Sequence, residues 1–173
     1  MRHALIVAGA IACALASACR PHRDATWLGE HVELRIDSTE YTARPDGGVY
    51  SVKIDFAFTN RTGTTLSRSM CGAPSPPLLE KEVAPGRWVI AYSPVELMCE
   101  TIPPFRIASG STYRGVVSAY ATTVAPGRLG GWQADSIPGT YRLHWGLHAS
   151  AEPNDRAGTV SATSASFRIR RAM

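Results

Sequence analysis

Two cysteines, each preceded by a methionine, are the residues of this chain best suited to chemistry: Met70-Cys71 and Met98-Cys99. Two thiolates and two thioethers make a soft donor set of the kind Cu(I) prefers, so a copper-handling lipoprotein is one reading. Against it, no CxxC spacing, no histidine nearby in sequence and no methionine-rich run accompanies the pair. In an exported chain the default reading is a disulfide, and closing a loop of this length stabilises a fold by roughly 3 kcal/mol on the chain-entropy model. Methionine beside a cystine is then ordinary core filling. We expect a Cys71–Cys99 disulfide and no metal. Pro74, Pro76 and Pro77 enter the same segment and forbid regular ladder pairing, which makes that stretch a loop or edge and a candidate binding surface.

Other constellations point away from catalysis. His144 and His148 lie four apart, which on a strand puts both rings on one face but about 13 Å apart, too far to chelate one small ion. His31 would have to join one of them across strands. No GxSxG elbow and no SxxK motif is present. Glu80 and Glu82 flank Lys81 and read as an exposed charged face. We therefore expect no catalytic residues, no cofactor and no enzyme. The net charge of +4 is spread along the chain, without a basic run or aromatic-basic interleaving, so nucleic acid is not an expected partner.

The export premise comes from the N-terminus. Arg2 and His3 precede an apolar stretch over residues 4–15 and then small residues up to Cys19, the three-part layout of a signal peptide. Leu15-Ala16-Ser17-Ala18-Cys19 resembles the lipobox of bacterial lipoproteins, with Ala16 where leucine is usual and Leu15 one position further back. The resemblance implies that Cys19 is diacylated and becomes the new N-terminus. Residues 1–18 are then a signal peptide, 19–28 a polar tether and 29–173 one domain. Arg20, rather than aspartate, after Cys19 implies an outer-membrane destination in a cell with two membranes; the alternative is a secreted or periplasmic chain cut near Ala18. The expected partner is a membrane, through the N-terminal lipid, with a further protein partner unidentified.

Around these residues the pattern is that of short strands. Residues 31–36 alternate with Val32, Leu34 and Ile36 on one face, and residues 50–59 do so more strongly with Val52, Ile54, Phe56 and Phe58. The latter run ends at Asn60-Arg61-Thr62-Gly63, a turn sequence after which residues 66–70 would pair back as a hairpin. Residues 78–83 and 88–92 read as two strands joined by Ala84-Pro85-Gly86-Arg87. After the turn at 107–110 comes a strand over 113–119, then a long loop over 122–136 carrying Gly130-Gly131-Trp132. A loop tryptophan flanked by glycines anchors a partner or folds back over a sheet edge, so Trp132 is a candidate binding residue. In the strand that follows, Tyr141, Leu143, Trp145 and Leu147 face inward, and residues 159–170 close the domain with Phe167 and Ile169. Trp88 and Trp145 read as core.

No stretch beyond the signal sustains a helical period. About seven strands with turns between them indicate an all-β fold, an immunoglobulin-like antiparallel sandwich, with a closed barrel as the alternative. The alternating strand ending in an Asn-x-Thr turn, the Ser109-Gly110 turn and Pro138-Gly139-Thr140-Tyr141 resemble the intracellular proteinase inhibitor (BsuPI-like) domain and related envelope modules. Pro-Gly-x-Tyr also resembles the tyrosine corner of sandwich domains, whose phenol bonds back to the backbone. The resemblance implies the fold, and it makes an extracytoplasmic proteinase inhibitor presenting Pro74, Pro76 and Pro77 the alternative to a non-catalytic, lipid-anchored envelope module.

Overall fold

The computed structural model describes residues 30–68, 76–94, 104–122, 132–133, 136–149 and 158–173. Cys19, Cys71, Cys99, Pro74 and the proposed signal and tether lie outside them. The described residues form an all-β structure of twelve strands: β1 (Val32–Ile36), β2 (Glu40–Asp46), β3 (Val49–Asn60), β4 (Leu66–Arg68), β5 (Leu78–Ala84), β6 (Arg87–Tyr92), β7 (Phe105–Ile107), β8 (Thr112–Thr122), β9 (Trp132–Gln133), β10 (Gly139–His148), β11 (Thr159–Thr163) and β12 (Phe167–Arg171).

Two strands carry the architecture, and both are the ones with the cleanest alternation. β3 pairs along its whole length with β8, from Tyr50↔Ala121 to Thr59↔Thr112, while its other edge takes β1 near one end and β2 near the other. β10 is flanked by β5 and β4 on one edge and by β12 and β11 on the other. β2 joins the two networks: Glu40 to Ala43 pair with β12, and Arg44 to Asp46 with β3. The two networks thus join in one sheet whose continuous path runs β6-β5-β10-β12-β2-β3-β8-β9, with β1, β4, β7 and β11 paired off it. The expectation of a purely antiparallel arrangement is corrected at two ladders, β2–β12 and β8–β9, which are parallel.

β2 escapes the period-two reading because Arg44-Pro45-Asp46 looks like a turn. The turn is one step later: Gly47 and Gly48 have φ of 57° and 89°, the positive pair that a two-residue hairpin loop between Asp46 and Val49 demands. A second correction concerns residues 66–70. β4 makes no hairpin with β3, because both edges of β3 are already occupied; it crosses to pair with β7 and to meet β10 at Ser67↔His148.

The core fills the space between the two networks. Trp145 of β10 is wholly buried and collects Phe56 and Phe58 from β3, Tyr113 from β8 and Phe105 from β7, with ring centroids 5.2–6.1 Å away. Phe56 lies over Gly115 on the neighbouring strand, where a Cβ would come within 2.7 Å of its Cζ. The aromatic ring thus covers backbone that a side chain would otherwise occupy.

Tyr141 anchors the start of β10. Its hydroxyl donates to the Ile137 carbonyl at 2.7 Å, with that of Ser136 at 3.1 Å, and accepts from Trp132 Nε1 at 3.2 Å. This is the contact that the Pro-Gly-x-Tyr pattern implies. Burial pushes the phenol up to about 12, against a smaller lowering by the Trp132 indole. An unfolded tyrosine titrates near ~10, so the stability gained by keeping the phenol neutral is fully present below that pH and is lost as the pH rises through about 12. The urea midpoint should fall over that interval. In Tyr141→Phe the fall should be smaller, on top of a loss of about 1 kcal/mol at neutral pH; an unchanged alkaline slope would remove Tyr141 from the account.

Candidate functional site

The outer face of the β10–β5–β6 layer holds the most developed side-chain arrangement on the surface. Strand register sets Arg142 opposite Glu80, and Glu80 in turn opposite Ile90. Arg142 Nε donates to Glu80 Oε2 at 2.7 Å, and the Arg142 guanidinium lies 4.3 Å from the centroid of the Trp88 ring. Both charged side chains are largely withdrawn from solvent, which strengthens the pair and fixes the planar guanidinium as a floor for the indole. The reading of Glu80 as simply exposed is corrected here. So is that of Trp88 as core: it lies half-buried on the outside of the sheet, stacked on an arginine.

Among the described strands, the hairpin that carries Trp88 ends the layer. Among the described residues β6 pairs only with β5, and Val83, Val89 and Ile90 are 44%, 40% and 59% exposed. Edge strands are usually blunted by charge, proline or a covering loop. Here the register shift between Glu82 and Ala84 twists the tip, while Val89 and Ile90 point to opposite faces, so that apolar surface appears on both sides.

The residues singled out from sequence fall in different places. Trp132 is 1% exposed: β9 adds to β8, with Ala121↔Trp132, and the indole packs on Tyr141. The loop tryptophan folds back over the sheet, and its expected exposure to a partner is corrected. Pro77 is buried and Pro76 half-buried just before β5. His144 and His148 alternate on the wet face of β10 and are half-buried, with His144 Nδ1 3.4 Å from Thr163 Oγ1. No group of three metal-ligating side chains occurs among the described residues, and none of their helices is long and apolar enough to cross a membrane. Asn60, within an Asn-x-Thr sequence, is fully buried and engaged by four hydrogen bonds, which leaves its amide inaccessible to glycosylation.

The Arg142–Glu80–Trp88 arrangement was hidden in the sequence because it depends on the pairing of β5 with β10, strands separated by half the domain. The visible signal was an arginine on the wet face of a strand whose other face is wholly apolar.

No family model matches the chain, and no curated protein matches it. Among solved structures, the chain is similar to Northeast Structural Genomics Consortium target SoR45, at 12% identity and a TM-score of 0.43 over 82% of this chain and 88% of that one. It is also similar to the ASH/PapD-like domain 7 of human CEP192, at 14% identity and a TM-score of 0.31 over 100% and 99% of the two chains.

Proposed function

We propose that this chain is an exported, lipid-anchored, non-catalytic envelope module that holds a protein partner along the β5–β6 hairpin. The observation that carries the reading is the edge of β6 that no other described strand covers, flanked by the exposed Val83, Val89 and Ile90. Main-chain groups along such an edge accept an added strand, and apolar side chains above and below it give that strand something to pack on. Trp88, held by Arg142, supplies a rigid aromatic surface beside the edge. The fold belongs, on this reading, with immunoglobulin-like sandwiches. Support comes from β2 passing from one network to the other and from the Tyr141 hydroxyl bonding back to Ile137.

The anchor is testable without the partner. Metabolic labelling with a fatty-acid analogue should mark the exported protein, and Cys19→Ser should abolish the label and release the chain from membranes; a labelled Cys19→Ser chain would overturn the assignment. Thiol titration should find Cys71 and Cys99 quantitatively oxidised, which would leave no thiolates for copper. For the partner surface, a photo-cross-linker at Ile90 should give a discrete adduct in the native envelope. Val89→Lys in the same chain should suppress it, while a cross-linker at Arg114 on the opposite layer should give none. An Ile90 adduct indifferent to Val89→Lys would sink the edge-strand reading.

A further inference from the structure

The outer face of β1, β3 and β8 carries a groove of about 560 Å³, lined by no residue of the β5–β6 hairpin and independent of its role. Strand register arranges its charges in rows. Arg35 and Arg114 lie on either side of Ala57, so two guanidiniums flank the smallest side chain on that face. One step along β3, Asp55 sits beside Asp37, whose backbone N–H donates to the Asp55 carbonyl at 3.4 Å. Behind the arginines, the hydroxyls of Thr59 and Thr112 meet at 3.0 Å and close that end.

Two of these groups are already held in place. Arg35 Nε is 2.5 Å from Glu33 Oε1, and Asp37 Oδ1 accepts from the Tyr41 hydroxyl at 2.6 Å. The side chains of Asp55 and Arg114 make no hydrogen bond or ion pair with the other described residues, although both line the groove. Val116, 46% exposed and directly opposite Asp55, adds an apolar wall.

We propose that this groove binds a small zwitterion of dipeptide length, its carboxylate between Arg114 and Arg35 and its ammonium between Asp55 and Asp37. A simple anion meets the two carboxylates, and a metal cation meets the two guanidiniums, so each ion alone is opposed by half the site. A ligand bearing both charges is opposed by neither. The spacing selects its length: the rows are two residues apart on one strand, about 6.7 Å, and an extended dipeptide reaches about 7 Å from end to end. A single amino acid is too short, and a longer peptide brings uncharged backbone to one of the rows. Guanidinium presents a planar fork that suits a carboxylate, and the threonine hydroxyls offer the remaining oxygen a donor.

Alanyl-alanine titrated into the exported full chain in neutral detergent, followed by amide NMR, should shift Ala57 and Gly115 saturably. N-acetyl-alanyl-alanine, alanyl-alanine amide and alanine should each bind at least about fivefold more weakly, the loss expected for one charge-assisted contact. Arg114→Gln should weaken the dipeptide by a similar factor while removing its preference over the amide. Asp55→Asn should remove the preference over the acetylated form. Equal binding of the blocked peptides, absence of a saturable shift, or indifference to either substitution would overturn the proposal. None of these results depends on the β6 edge or on the lipid.

Discussion

Trp145→Ala should bring the protein to the edge of unfolding at room temperature. The indole is wholly buried and touches rings from three other strands, Phe56 and Phe58 of β3, Tyr113 of β8 and Phe105 of β7. Its removal takes away the piece that both networks grip, and the aromatic neighbours, each paired elsewhere in a sheet, cannot collapse into the space. Aromatic-to-alanine changes in cores cost about 3–5 kcal/mol, a large share of the 5–15 kcal/mol that holds a typical domain together. Trp88→Ala should behave differently, because that ring lies half-buried against the Arg142 guanidinium on the outside of the sheet. Its loss should be about 1 kcal/mol. Urea denaturation followed by far-UV circular dichroism compares the two directly. Similar losses for Trp145→Ala and Trp88→Ala would mean that the core does not centre where these contacts place it.

That contrast shows what a single chain reveals about its own packing. The alternation in β3 and β10 marks their buried faces, because a half-buried strand must place an apolar side chain at every second position. Trp145 is readable as core for this reason, sitting in step with Tyr141, Leu143 and Leu147. Trp88 has no such company. Its neighbours Val89, Ile90 and Ala91 are apolar on both faces, and only the pairing of β5 with β10 decides which side meets Arg142. The same holds for Trp132, whose glycine neighbours suggest an exposed loop until β9 pairs with β8 and turns the ring inward.

Partner choice between strands is the level at which local pattern runs out. A turn sequence after β3 predicts a hairpin, yet β1, β2 and β8 together cover both edges of β3 and send β4 to the other network. β2 is obscured by Pro45, which is tolerated because its proline nitrogen need donate nothing there. The grooved face on β1, β3 and β8 is similarly invisible: Arg35, Ala57 and Arg114 are dispersed in sequence and become neighbours only through register. By contrast, the anchoring of Tyr141 was legible, because its hydroxyl bonds back to a backbone carbonyl only four residues away.

Asn60 is the second position where one substitution should have a large effect, and here the cost is polar. Its Nδ2 donates to the carbonyls of Thr64 and Ile107, both at 2.9 Å, while Oδ1 accepts from the Thr62 N–H at 3.0 Å and the Thr62 hydroxyl at 2.6 Å. The backbone on either side is tied as well, with Gly110 N–H donating to the Asn60 carbonyl at 2.7 Å and Asn60 N–H to that of Ser111 at 3.0 Å. One side chain therefore closes the turn after β3 and fastens it to β7, on the other network. Asn60→Ala leaves buried donors and acceptors without partners, at about 1–3 kcal/mol for each group that water cannot reach, so a loss of about 3 kcal/mol is expected. Asn60→Asp is the sharper test. The carboxylate keeps the Oδ1 contacts to Thr62 but turns an acceptor toward two carbonyl oxygens in a buried site, which disfavours its charged form and raises its pKa. The stability contributed by the neutral acid is then present at low pH and lost as the pH rises through that raised value. Asn60→Asp should therefore be less stable than Asn60→Ala at neutral pH and should regain ground as the solution is acidified toward the ordinary carboxylate range. Urea midpoints across that span, with both variants compared at each pH, provide the measurement. An Asn60→Asp chain as stable at neutral pH as the parent would mean that the amide donates nothing to Thr64 and Ile107, and that the link between the two networks rests on the backbone contacts alone.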